Sequence, residues 1–472
     1  MTLTSTMETS ILQFASCFTQ PSFQTFGVIV TGWLLGHGRR VVTRILRDGD
    51  GLEAKSFSCY HRFFSQARWS PDDIGRVMVG WVLKFIPQDA PIVVAVDDTL
   101  NRKTGKRIWA AGMHHDPLLS TARRVFFSFG HNFVVLSIQL RFPFAPDKVW
   151  SLPILVRLYR GKQKKGTPGR PRGERKAIGQ APPSEYRTRP QLASERIALL
   201  ASWLPERTIQ VLGDSEYAGQ SISRPLPHKV HLTSRMVMNA ALYDLPPKHQ
   251  KNQRGAPRKK GKRLESPVQL AASTKERWTK TKVILYGRRV RVGYKTCVAL
   301  WYNSAGVRPL RIVVVRDPSG RRKDDCFFST DLSLSAKAIL EWFALRWPLE
   351  VAFYNAKQFL GLEDPQNRTP KAVQRTAPLA LYLHDLVILW FAEHGRFDAQ
   401  AYRRTHPWYA QKRTPSFADM LACLKRASLR EMISRYCAQE PHSAKKLLPE
   451  WHCRRFRSLA ARTSCALALD GG

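Results

Sequence analysis

The chain has 472 residues, 43% of them hydrophobic, which is enough for a large buried core and more than one ordinary domain. It carries 76 Lys and Arg against 36 Asp and Glu, a formal +40. That excess calls for a polyanionic partner, nucleic acid above all, and its spread along the chain excludes the single basic amphipathic helix of a membrane-surface binder. No stretch is long and apolar enough to span a bilayer: the run around residues 26–35 is short, and Asp385 interrupts the one at 377–392. The N-terminus MTLTSTMETSILQF lacks a basic start and carries Glu8, so no signal peptide is expected. Eight cysteines without a CxxC pair read as reduced thiols, and the adjacent His452 and Cys453 cannot easily face one metal, so no zinc site is expected. The expected location is the cytosol.

Residues 1–90 read as a helical N-terminal DNA-binding region. Ser70-Pro71-Asp72-Asp73 is a helix start, with a Ser cap, Pro at the first position and acids in the first turn. The preceding SFSCYHRFFSQARW interleaves aromatics and cations, which suits a helical core or a DNA-contacting face equally.

From residue 91 the pattern turns to α/β. PIVVAVDDT (91–99) is a short apolar run ending in two aspartates, the profile of a buried strand that delivers carboxylates at its end. NFVVLSIQLRF (132–142) is a second strand. An amphipathic helix at 191–204 precedes RTIQVLGDSEYAG (207–219), a strand that ends in Asp214, and KVHLTSR (229–235) is a further strand. Residues 91–235 thus form the first part of a core that contains a basic loop at 160–190. A β-rich insertion follows at 236–332, with strand-like runs VILYG, RVRVGYKTCVALWYN and LRIVVVRD separated by tight turns. Helix returns at 333–370, and 371–472 reads as a helical C-terminal region with a basic tail.

Two segments are crowded with cations and poor in apolar residues. One (160–176) contains Lys162, Lys164, Lys165, Arg170 and Arg172; the other (248–263) contains Arg258, Lys259, Lys260, Lys262 and Arg263. Both read as loops that contact phosphates. Gly169-Arg170-Pro171-Arg172-Gly173 loosely resembles a minor-groove hook.

In FALRWPLEVAFYNAKQFLG (343–361), Glu350 lies four residues after Arg346 and seven before Lys357, spacings that return to one helical face. Pro348 predicts a kink or a fresh helix start there, with Glu350 in its first turn. Asp97, Asp214 and Glu350 therefore come from two strand ends and a helix. A single aspartate is ordinarily a cap or turn residue. Three that converge repel one another unless hard cations sit among them, and two Mg²⁺ ions are the natural choice, with Mn²⁺ able to substitute. Asp98 rivals Asp97, because neighbouring strand residues face opposite ways and one alone enters the site.

These blocks resemble the DDE transposases of bacterial insertion sequences, in the group with a Tyr-(2)-Arg-(3)-Glu-(6)-Lys signature. Arg346, Glu350 and Lys357 match it; Phe343 stands at the tyrosine position. VDDT (96–99), LGDSEYA (212–218) and LGLEDPQNR (360–368) are similar to further family blocks, and the resemblance spans roughly 56–390. It implies an RNase H-like mixed-sheet core with a β-rich insertion between the second aspartate and the glutamate. It also implies Asp97, Asp214 and Glu350 as catalytic metal ligands, with Asp97 preferred over Asp98 from the family's Asp-x-Thr pattern. Arg346 and Lys357 would then contact DNA near the scissile phosphate. At Phe343 either the ring suffices or Tyr354 supplies the hydroxyl.

Other polar residues read more plainly. His114, His115 and Asp116 suit a turn or surface, and His131 suits a structural hydrogen bond. Trp301 suits stacking on an unpaired base or packing in the sheet. The expected function is cleavage of insertion-sequence ends and joining of the freed 3′-OH to target DNA. The expected partners are double-stranded DNA, as terminal inverted repeats and target, and a second copy of the chain. A metal-dependent nuclease of the same fold without strand transfer, and a non-catalytic DNA-binding descendant, are the alternatives.

Overall fold

The structure, a computed structural model, describes residues 2–49, 51–105, 107–121, 123–162, 178–247 and 256–439. Its centre is one mixed sheet of ten strands: β1 (Ile92–Arg102), β2 (Gly112–His115), β3 (Phe127–Phe142), β4 (Ala145–Tyr159), β5 (Ile209–Gly213), β6 (Val230–Met236), β7 (Thr279–Leu285), β8 (Arg288–Leu300), β9 (Pro309–Arg316) and β10 (Asp325–Ser329). The order is β2-β3-β1-β5-β6-β10-β9-β8-β7, with β4 also paired to β3. β1, β5 and β6 run parallel, and the remaining pairs are antiparallel. Three parallel strands flanked by an antiparallel meander, with helices packed on the sheet, make this an α/β fold with an RNase H-like core.

Among the described residues eleven longer helices surround it: α1 (Ser5–Leu12), α2 (Gln20–Leu35), α3 (Val42–Asp48), α4 (Phe57–Ser65), α5 (Pro71–Leu83), α6 (Arg189–Trp203), α7 (Ala336–Ala344), α8 (Pro348–Leu360), α9 (Pro370–His394), α10 (Ala399–Thr405) and α11 (Phe417–Gln439). The start of α5 follows its sequence: Ser70 Oγ accepts from the Asp72 amide at 3.2 Å, with Pro71 next. Asp72 then accepts from Arg157 on β4 (2.5 Å) and Arg196 on α6 (2.9 Å), tying two helices to the sheet. A Thr188–Gln191 capping box opens α6. In SFSCYHRFFSQARW, Tyr60, Phe63, Phe64 and Trp69 are buried and belong to the core, whereas Phe57 is exposed.

One expectation about the strands changes. β1 does not stop at its aspartates but continues to Arg102, because β3 keeps pairing with it to the Arg102–Gly130 position. The strands of the β-rich insertion join the core sheet, because β10 pairs with β6 and carries β9, β8 and β7 out from it. The apolar run at 377–392 lies in α9, most of whose residues are buried between α1, α4, α5, α8, α11 and β4. Among the described residues no helix is long and apolar enough to cross a membrane.

Gly75 shows how closely these layers approach. A Cβ there would stand 2.1 Å from the Ile154 carbonyl oxygen of β4, whereas one on Gly80 of the same helix would meet nothing within 4 Å. Gly75→Ala is therefore expected to cost about 1–3 kcal/mol. Gly80→Ala should instead stabilise by up to about 1 kcal/mol. Thermal denaturation of the two variants checks the pair.

Candidate active site

Parallel pairing of β1 with β5 sets Ala95 opposite Leu212, and the pairing ends there. Asp97 and Asp214 each lie two residues further on, so the period of two brings both to the same side of the sheet where the strands part. The Asp214 turn is fixed by its own groups: its Oδ1 accepts from the Glu216 amide (2.9 Å), and its carbonyl accepts from Ser234 Oγ (2.7 Å) and the Tyr217 amide (3.1 Å).

The third acid comes from the junction of α7 and α8. Pro348 takes the first position of α8, where its missing N–H costs nothing, and Glu350 sits in the first turn. Arg346 lies in the tight link before it, so the chain bends where Pro348 predicts while Arg346 and Glu350 stay neighbours. Arg346 Nη2 donates to Glu350 Oε1 at 2.9 Å, and Nη1 makes a short hydrogen bond to Asp97 Oδ2. Asp214 lies within its electrostatic reach. One half-buried guanidinium thus bonds Asp97 and Glu350 and lies within electrostatic range of Asp214. Burial alone would lower the Arg346 pKa, but Asp97 and Glu350 outweigh it and hold it above the usual value, so it stays charged.

Asp97 is pushed up to about 7, by burial first and then by the like charges of Asp98 and Asp214, against the pull of Arg346. Asp98 faces the other way and is saturated. It accepts from Asn132 Nδ2 (2.6 Å), Tyr217 Oη (2.9 Å) and Arg189 Nη1 (3.1 Å), and Arg189 also pairs with Glu216 at 2.8 Å. Of the two adjacent acids, Asp97 is the one that joins Asp214 and Glu350. Arg189, Asn132 and Tyr217 escaped the sequence reading, although a second carboxylate on the buried face of a strand already called for cationic and hydroxyl partners.

The donor set suits hard divalent ions, since it is all carboxylate oxygen and is undercompensated by one guanidinium. Among the described residues no three carboxylate, imidazole or thiol groups stand close enough to share one ion. Asp97 and Glu350 instead meet across Arg346, which fills the place of a cation.

Residues 13–293, more than half of the chain, match the family described as DDE superfamily endonuclease. The chain belongs to that family. The matched span holds Asp97 and Asp214 and ends before Glu350. Among curated proteins no match is found. Membership makes this an endonuclease- or transposase-type protein, with DNA as the substrate that the family implies.

Other sequence candidates of this DDE superfamily member lie elsewhere. Lys357 points away from the acids. Its Nζ donates to the Leu100 carbonyl (2.7 Å) and pairs with Glu363 at 3.3 Å, and burial lowers its pKa. Lys103, lowered to about 8 by burial, likewise holds the Glu363 and Pro365 carbonyls at 2.7 and 2.8 Å. Gly361 ends α8 in the left-handed region at φ 59°, where a Cβ would meet Asp364 Oδ2 at 2.2 Å. The LGLEDPQNR block is therefore a structural clasp on β1.

Lys162 lies beside the Tyr186 ring, at 5.9 Å; Lys164, Lys165, Arg170 and Arg172 lie outside the described residues, as does most of the C-terminal basic tail. Arg258, Lys259, Lys262 and Arg263 are exposed, and Lys260 stacks on Tyr243 at 3.9 Å. Trp301 packs edge-on against Phe328 at 5.8 Å, at the end of β8. Phe343 packs on Phe327 at 4.7 Å, and Tyr354 is 61% exposed. Asp116 accepts from Arg102 at 2.7 and 2.8 Å. His131 contacts the Trp109 carbonyl at 2.8 Å and is lowered to about 4 by burial. Both are structural.

The Asp97 environment sets a pH dependence. Its folded pKa of about 7 lies above its ordinary 3.8, so the native state keeps a proton that the unfolded chain releases. The metal-free protein should thus lose stability as pH rises from about 4 to about 7. Asp97→Asn, uncharged throughout, should flatten that fall, as seen by thermal denaturation across the window.

Proposed function

We propose that the protein is a DNA transposase of the insertion-sequence type, which cleaves the ends of its element and joins the freed 3′-OH to target DNA. The observation that carries this reading is the meeting of Asp97 and Glu350 across Arg346, with Asp214 within its electrostatic range, from three separate elements. In this reading Asp97, Asp214 and Glu350 hold the divalent ions. Two Mg²⁺, or Mn²⁺ in their place, supply activation of the attacking oxygen and neutralisation of the leaving one.

The chain's own residues do the rest. Arg346, charged and one turn from Glu350, has both arms on Asp97 and Glu350, and its planar fork would turn to hold a phosphodiester in line once divalent ions engaged those acids. Lys357 keeps α8 on β1 and so fixes where Glu350 points. Arg346, Glu350 and Lys357 fit the family's signature, and Phe343 replaces its tyrosine as an apolar ring. The cationic loops at 160–190 and 248–263 are assigned to duplex contact, because their charge exceeds what a solvated surface needs, and the helical region 1–90 is assigned to it beside them. Both ends of an element must be held together, which assigns a dimer on DNA.

The test is Mg²⁺-dependent cleavage and joining of DNA that carries the terminal inverted repeats flanking the gene. Asp97→Ala, Asp214→Ala and Glu350→Ala should each lose roughly a thousandfold in cleavage, the several kcal/mol that bound ions supply, while still binding DNA. A variant that cleaves at the wild-type rate overturns the assignment of that residue. Cleavage without joining would make the protein a nuclease.

A further inference from the structure

A groove of ≈ 810 Å³ opens beside the acidic site, with Asp214 and Arg346 at one end. Its walls come from the β7–β8 hairpin, α7 and the turn between β9 and β10, DPSGRRKD at 317–324. Three features of this groove have no part in the chemistry described above.

The first is charge. Arg321, Arg322 and Lys323 line the groove and are exposed. The acids of the same turn are already engaged. Asp317 accepts from the Ser319 amide and hydroxyl at 2.9 and 2.7 Å, Asp324 pairs with Arg316 at 2.6 Å, and Asp325 pairs with Arg235 at 2.8 Å. Arg321 and Lys323 have no ion-pair partner among the described residues, and Arg322 faces Asp317 at longer range. Gly320, at φ +69°, closes the turn with its amide on the Asp317 carbonyl at 3.0 Å. The turn is therefore built locally by its acids, and its cations are left over.

The second feature is a pair of rings. Phe343 on α7 and Phe327 on β10 line the same groove, both only partly buried. The third is size. A cavity in this range encloses about one or two nucleotides. Cations along a narrow groove with aromatic faces inside it are what a single strand of nucleic acid requires, and a paired duplex keeps its base faces hidden.

We propose that this groove is a single-strand DNA site. Phosphates lie on Arg321, Arg322 and Lys323, unpaired bases lie against Phe327 and Phe343, and the strand leads directly to Asp214. The inference rests on the transposase reading for its location, and it identifies the substrate form as DNA with a strand displaced at the cleavage point. It also gives Phe343 a task in which a ring is sufficient.

The test is metal-free binding of a fluorescent duplex of mixed sequence, alone and with an unpaired single-strand flap. The wild-type protein should prefer the flapped form by about tenfold, the worth of one stacked base. Arg321→Ala/Arg322→Ala/Lys323→Ala should abolish the preference and reduce the salt slope for flapped DNA by about 2, from three lost single-strand contacts. Phe343→Leu should reduce the preference and leave the slope unchanged. Arg403→Ala/Arg404→Ala/Arg413→Ala, which removes equal charge on and beside α10, should weaken both forms alike. Equal wild-type affinity for the two forms overturns the proposal, as does a control triple variant that loses as much flap preference as the first. Cleavage of the element's ends is read in parallel. Cleavage without flap preference removes the groove and keeps the transposase, whereas flap preference without cleavage does the reverse.

Discussion

Three carboxylates at one edge of a sheet cannot stand together without a cation, and in this protein Arg346 is that cation. Its two arms reach Asp97 on β1 and Glu350 on α8, so a single guanidinium ties the sheet to the helix that follows the insertion. Much of the local architecture serves to bring those partners into range. The β1–β5 register sets the two aspartates side by side. Pro348 starts α8 where Arg346 and Glu350 remain one turn apart, and the Lys103, Lys357 and Gly361 clasp holds the far end of that helix on β1. One guanidinium among three carboxylates, of which Asp97 is pushed up to about 7, leaves the group short of counter-charge once all three ionise, which is the condition under which carboxylates bind hard divalent ions.

The opposite face of β1 solves a second electrostatic problem. Asp98 follows Asp97 directly, and two adjacent carboxylates at the same opening would each raise the other's pKa. The strand's alternation sends Asp98 to the far side, where Asn132, Tyr217 and Arg189 satisfy both its oxygens. Those partners belong to β3, to the turn after Asp214 and to α6. The Tyr217 bond therefore also links the two strand ends that carry Asp97 and Asp214. A buried carboxylate with this many donors specifies the arrangement more than it stabilises it, since each partner removed leaves a charge unpaired.

Much of this was legible in the sequence because it depends on short-range rules. Strand alternation, the Ser70-Pro71 start, the helix around residues 191–204 and the break at Pro348 all follow from spacing within a few residues. The three acids emerged from their places at strand ends and on a helix. Properties set by distant partners were not legible. Lys357 carries the right spacing from Glu350, yet its charge is drawn to Glu363 and the Leu100 carbonyl across β1, a contact that spacing along one helix does not reveal. The continuous sheet was hidden for the same reason, since β10 finds β6 across a sequence gap of about ninety residues. Arg321, Arg322 and Lys323 were overlooked because acids flank them in the sequence. The structure shows those acids turned to Arg316, Arg235 and the turn's own amide and hydroxyl.

That last pattern recurs across the molecule and accounts for its charge. Asp72, Asp98, Asp116, Asp324, Asp325 and Glu363 each hold an arginine or lysine that fixes a turn, a helix or a strand end. Acids are thus used largely inside the architecture, and they take only part of the cations with them. With 76 basic against 36 acidic residues the cations outnumber the acids, and among the described residues Arg258, Lys259, Arg321, Arg322 and Lys323 face outward as a positive surface. Such a surface repels itself and weakens the compact state, a cost borne by the large core that packs α9 and the ten-stranded sheet. A bound polyanion relieves that repulsion as it releases its own counterions, so the charge that burdens the free protein favours the complex. Asp97 and Glu350 follow the same pattern through Arg346, but there one arginine serves two acids with Asp214 beside it, so this cluster is left short of counter-charge.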